Sequence, residues 1–166
     1  MEFGLYFLKG VFMKIKVLGS SIVLAALLLS GCANSQPTAT APNFEGITKE
    51  KTAQIQQEIK VVSGEEVAKM MSEKKNIIIV DVREADEIKT FGKVDWKNQK
   101  TMSRGKLEYM LPKAGLKVDD EIYVMCKTGG RSTFAAKTLK EYGFKNVTIV
   151  EGGFDKWLEK KLPSVD

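Results

Sequence analysis

The chain has 166 residues, 43% hydrophobic and 28% charged, enough for one packed domain with or without appendages. It contains no histidine, which excludes a histidine general base, a Cys-His or Ser-His-Asp pair and any imidazole metal site. Two cysteines exclude a disulfide-rich scaffold and a four-cysteine metal site, so no metal or cofactor is implied. The net charge is +5, or +3 without residues 1–31, with both signs interspersed, which argues against a dedicated nucleic-acid binder.

The first element in the chain is an apolar run. Val17 to Leu29 (VLGSSIVLAALLL) follows Lys14 and Lys16. It is too short for a bilayer-spanning helix, which needs roughly 20 residues. A basic segment followed by an apolar one of this length reads as an export signal. Leu29-Ser30-Gly31-Cys32 then resembles the bacterial lipobox, whose cysteine is lipidated (palmitate) and becomes the first residue of the mature protein. That resemblance implies a lipoprotein attached to the cell membrane on its extracytoplasmic side, with two or more acyl chains giving a stable anchor. Met13 would start a more compact signal than Met1. Ala33 to about Ile47 (ANSQPTATAPNFEGI) is rich in small and polar residues and reads as a flexible spacer. Lys49 to Glu58 fits either a short helix or more tether. The expected organisation is therefore a signal at 1–31, a lipidated cysteine and tether at 32–58, and one domain at 59–166.

From Ile59 short apolar runs alternate with helical patterns. Ile59 to Val62 reads as a strand, and Ser63-Gly64-Glu65-Glu66 as a capping box opening a helix with Val67, Met70 and Met71 on one face, ended by Asn76. Ile77 to Val80 is a β-branched run suited to a strand buried on both faces. Asp81 to Lys89 predicts a loop and a short helix, and Ser103 to Leu111 a helix stopped by Pro112. Glu121 to Cys126 is a second central strand. Ser132 to Tyr142 predicts a helix with Gly143 as its C-terminal cap. Val147 to Val150 is another buried strand and Phe154 to Lys161 a last helix. The alternation implies an α/β domain with a largely parallel sheet of about five strands flanked by helices. Ligands of such sheets sit at the carboxyl ends of strands, which here carry Asp81-Val82-Arg83 and Cys126.

Cys126-Lys127-Thr128-Gly129-Gly130-Arg131-Ser132 leads from a strand directly into a helix. Gly129 and Gly130 permit positive φ, so successive N–H groups can turn inward as an anion-binding nest. The helix N-terminus, Lys127 and Arg131 add positive charge. Together these favour a thiolate at Cys126 without histidine. Phe154 and Trp157 read as core, and the lysines from Lys156 to Lys161 as a solvated helix face.

Four stretches in order resemble a rhodanese (sulfurtransferase) domain over about Ile59 to Val165. They are Asp81-Val82-Arg83-Glu84, Gly105-Lys106-Leu107-Glu108, the Cys126–Ser132 loop, and Glu151-Gly152-Gly153-Phe154 with Trp157 and Leu162-Pro163. One stretch departs from the family. Where members commonly read G-H-I-x-G-A-x-N-I, this chain has Gly92-Lys93-Val94-Asp95-Trp96-Lys97-Asn98-Gln99, beside what is the active-site face in the family.

The resemblance implies that Cys126 attacks a sulfane sulfur, such as that of thiosulfate, holds it as a persulfide and passes it to a thiol or other thiophilic acceptor. Backbone N–H groups of Thr128 to Ser132 would cradle the sulfur, Lys127 would face an anionic donor, Arg131 would pair with Asp81, and Arg83 would shape the pocket rim. Partners would be small molecules and the membrane, with the protein a monomer. Two alternatives stand beside this reading: a non-catalytic sulfur-binding or interaction module, and a phosphatase or arsenate reductase. The six residues from Cys126 to Arg131 are one fewer than the family's phosphate-sized loop.

Overall fold

The computed structural model describes residues 41–166. The export signal, Cys32 and the spacer up to residue 40 lie outside the described residues. Strands β1 (Val61–Val62), β2 (Ile77–Asp81), β3 (Lys93–Val94), β4 (Gln99–Thr101), β5 (Glu121–Met125), β6 (Asn146–Val150) and β7 (Ser164–Val165) alternate with helices α1 (Phe44–Glu58), α2 (Gly64–Ser72), α3 (Ala85–Phe91), α4 (Leu107–Met110), α5 (Gly130–Glu141) and α6 (Gly153–Glu159). Five strands form a parallel sheet in the order β1-β6-β5-β2-β4. The expected α/β architecture is therefore present.

The period of two along each central strand divides the apolar side chains between two cores. Val80, Val82, Ile122, Val124 and Ile149 face one core together with Ile55 of α1, Leu107 of α4 and Leu139 of α5. Ile77, Ile79, Tyr123, Met125 and Val150 face the other, with Val67 and Met71 of α2 and Phe154 and Trp157 of α6. Because β2 and β5 are covered on both faces, they read as unbroken apolar runs. At α2 the capping box is complete: the Glu66 N–H donates to the Ser63 hydroxyl and the Ser63 N–H to the Glu66 carboxylate.

Two features differ from the sequence reading, and a third has no counterpart in it. The spacer expected to run to Ile47, and the tether drawn to residue 58, give way to α1 from Phe44 onward. Asn43 caps that helix by accepting from the Gly46 N–H at 3.0 Å, and Ile55 is buried with Ile59 one turn further on. Only this narrow seam anchors α1, while Phe44 and Ile47 stay exposed, so its apolar periodicity is faint. The helix expected from Ser103 to Leu111 is a short α-helical segment between 3₁₀ turns at Arg104–Lys106 and Leu111–Lys113. Pro112 lies inside the second turn instead of stopping the first, at an early helical position where its missing N–H costs nothing. Finally, the Gly92–Gln99 stretch holds β3, which pairs antiparallel with β7 at the carboxyl end of the chain.

Candidate active site

Register places the site. Asp81 of β2 lies opposite Met125 of β5 on one side and Thr101 of β4 on the other, so Cys126 emerges one residue beyond a row crossing the sheet. The Val82 N–H donates to the Met125 carbonyl at 2.8 Å and extends the ladder to the thiol. Cys126 is almost fully buried, and its Sγ accepts from the Gly129 N–H at 3.1 Å. The Cys126 thiol in turn lies 3.6 Å from the Ser132 hydroxyl oxygen, which can accept from it.

Gly129 makes the turn possible. Its φ of +101° is open to glycine and strained for other residues, whereas Gly130 is already helical, so a single left-handed residue shapes the loop. Its carbonyl accepts from the Ser132 hydroxyl at 2.8 Å, the Thr133 hydroxyl at 2.9 Å and the Thr133 N–H at 3.1 Å. With that peptide fixed, the amides opening α5 at Gly130, Arg131 and Ser132 have no intrahelical partner. The closing Glu151-Gly152-Gly153 turn fixes the loop from its other side. The Phe154 and Asp155 amides at the start of α6 donate to the carbonyls of Cys126 (2.7 Å) and Lys127 (2.9 Å). Gly153 has φ +62°, and a Cβ there would collide with those same two carbonyls.

The charged residues are arranged differently from the expectation. Arg131 does not pair with Asp81. Its two Nη atoms donate to the Glu87 carboxylate of α3 at 2.5 and 2.7 Å, an end-to-end fork that ties α5 to α3. Asp81 is instead taken by Arg83, which is fully buried and not at a pocket rim. Arg83 Nε donates to both carboxylate oxygens at 3.0 Å, and its Nη2 donates to Oδ2 at 2.6 Å and to the Gly92 carbonyl at 2.9 Å. The guanidinium stacks 3.9 Å above the Phe154 ring. The side chains are two residues apart on a strand end, so they share one face and reach each other before α5 can compete. Phe154 and Trp157 are core, as expected. Lys156 and Lys160 make surface ion pairs with Glu151 and Glu65.

Sequence reasoning passed over Glu87 and Phe91. A signal was available, because the two stand four apart on a short helix and so share a face. Lys127, four residues before Arg131, places its ammonium 4.5 Å above the Phe91 ring. On the other flank, Thr52 and Gln56 of α1 face Thr128, Gly129 and Gly130 across a cleft of about 180 Å³.

The hydrogen bonds from Arg131 hold the Glu87 carboxyl down to about 2 from its ordinary 4.5, outweighing partial burial. A carboxylate with a depressed folded-state pKa stabilises the fold above the unfolded value and loses that contribution as pH falls through the folded one. Glu87→Gln is therefore expected to destabilise the domain at pH 7. Both side chains keep solvent contact, so the loss is about 1 kcal/mol. Urea unfolding of the two proteins should converge as pH drops from 4.5 toward 2.

A strand-end cysteine in a glycine-shaped loop at a helix N-terminus, on a five-stranded parallel sheet, defines a class of α/β proteins that carry anionic or sulfur groups on a thiolate. The family model of the rhodanese-like domain matches residues 63–160, and the chain belongs to that family. The adenylyltransferase and sulfurtransferase UBA4 of Candida albicans is 34% identical over 110 residues, covering 61% of this chain and a quarter of that protein's length. The thiosulfate sulfurtransferase GlpE of Vibrio cholerae is 31% identical over 96 residues, covering 58% of this chain and 86% of GlpE. Among solved structures, the polysulfide-sulfur transferase homodimer of Wolinella succinogenes is 44% identical, covers 75% of this chain and 90% of its own, and superposes with a TM-score of 0.66.

Proposed function

We propose that this protein is a sulfurtransferase that moves sulfane sulfur through a persulfide on Cys126. The observation that carries this reading is the cradle itself: one amide already donates to Sγ, and three further amides open α5 beside it. In the first step the Cys126 thiolate attacks the sulfane sulfur of a donor such as thiosulfate. A Cys126 S–S bond forms, the donor's S–S bond breaks, and sulfite leaves with the electron pair. In the second step an acceptor thiolate attacks the terminal sulfur, and the Cys126 thiolate is released. The amides stabilise negative charge on Sγ and then on the terminal sulfur. The six-residue loop favours sulfur over a tetrahedral oxyanion, and the amide cradle around the buried thiol favours catalysis over a passive binding module.

We further propose that it works outside the cytoplasmic membrane, held by lipid on Cys32. The support is the basic-apolar pattern ending at Leu29 and the Leu29-Ser30-Gly31-Cys32 motif. No helix among the described residues is long and apolar enough to cross a membrane. Mass spectrometry of protein from native membranes, incubated with thiosulfate, tests both readings. The expected results are a sulfur adduct on the Cys126 peptide and acyl chains on an N-terminal Cys32. An unmodified Cys126 with every sulfane donor tried would point to a binding module. An unlipidated Cys32 in an uncleaved chain would overturn the anchor.

A further inference from the structure

Three cations surround the strand ends of the site, and only one of them is left without a carboxylate. Arg131 is neutralised by a two-point bond to Glu87, and the buried Arg83 by Asp81. Lys127 makes no ion pair among the described residues. Its ammonium instead lies 4.5 Å above the ring of Phe91, which is about half exposed at the end of α3. An aromatic face orients a cation through its quadrupole without cancelling the charge, whereas a carboxylate would do both. Glu87 and Phe91, one turn apart on α3, thus grip Arg131 in the first turn of α5 and Lys127 in the loop before it. The first grip ties the start of α5 to α3, and the second keeps a net charge in place at the loop.

We propose that Phe91 is a specificity-determining residue that holds Lys127 as the counter-charge for an anionic sulfur donor. This rests on the sulfurtransferase reading and adds to it that the donor side of the reaction selects for negative charge. Phe91 is a positioning residue, acting through Lys127. It lies immediately before the Gly92–Gln99 stretch that departs from the family.

The test compares iodoacetate and iodoacetamide, which differ in charge and little in size, as alkylating agents of Cys126, followed by mass on the full chain. The iodoacetate-to-iodoacetamide rate ratio should fall about three- to tenfold in Lys127→Gln. It should fall about two- to fivefold in Phe91→Leu, which keeps an apolar side chain without the ring quadrupole, and Phe91→Tyr should restore it. The kcat/KM for thiosulfate should fall in the same order. An unchanged ratio in Phe91→Leu alongside a reduced one in Lys127→Gln would show that Lys127 acts without Phe91 and overturn the proposal. An unchanged ratio in Lys127→Gln would overturn it as well. If the ratios shift as expected but the wild type turns over no thiosulfate, the charge device stands and the sulfurtransferase reading fails on that donor.

Discussion

Cys126→Ser is expected to lower thiosulfate-dependent sulfur transfer by at least about a thousandfold, the scale on which enzymes lose activity when a covalent nucleophile is removed. The fold should survive. The serine hydroxyl is slightly smaller than the thiol, accepts the same Gly129 N–H, and leaves untouched the two α6 amides that hold the Cys126 and Lys127 carbonyls. What changes is chemistry: an alkoxide is not reached at neutral pH, and oxygen forms no stable bond to sulfane sulfur. Steady-state transfer to a thiol, sulfur adduct by mass and thermal unfolding together decide the point. Loss of both transfer and adduct with an unchanged unfolding midpoint fits a nucleophile at position 126. Retained transfer in the folded variant would place the nucleophile elsewhere.

The elements that position Cys126 were legible because each is specified locally. Ile77 to Val80 and Ile122 to Met125 are runs that only strands covered on both faces tolerate, and Gly129 with Gly130 marks the turn before α5. What escaped depends on tertiary partners. α1 is held by little more than Ile55 and the adjoining Ile59, against a core whose other buried members begin at Val80, so its sequence reads as a tether. β3, β4 and β7 are two or three residues long and largely polar, defined by pairing and not by pattern. The pairing of cations with carboxylates was misassigned for a related reason. Spacing shows which side chains share a face, but not which of two carboxylates faces α5 across the fold. Asp81 and Arg83 satisfy one another within β2 and its extension, which leaves Arg131 to Glu87.

That internal pair leads to the largest expected effect on stability. Arg83 and Asp81 are both fully buried, and the guanidinium joins three parts of the site: the end of β2, the Gly92 carbonyl entering the divergent stretch, and the Phe154 ring at the start of α6. Arg83→Met keeps length and apolar packing but leaves the Asp81 carboxylate without its counter-ion and the Gly92 carbonyl without its donor. Removing one partner of a buried pair costs about 3–5 kcal/mol, because the desolvation of the other is no longer compensated. Arg83→Lys should recover only part, since an ammonium cannot bridge both carboxylate oxygens and the Gly92 carbonyl as the planar fork does. Asp81→Asn in the Arg83→Met background removes the stranded charge, and its amide oxygen can still accept from the Arg83 position's N–H. The double variant should therefore be more stable than Arg83→Met alone, with the two costs falling short of their sum. Urea unfolding of the four proteins measures the coupling. Strict additivity would mean that the pair contributes nothing as a pair, and that the loop after Cys126 is held by the α6 amides and the Glu87–Arg131 fork alone.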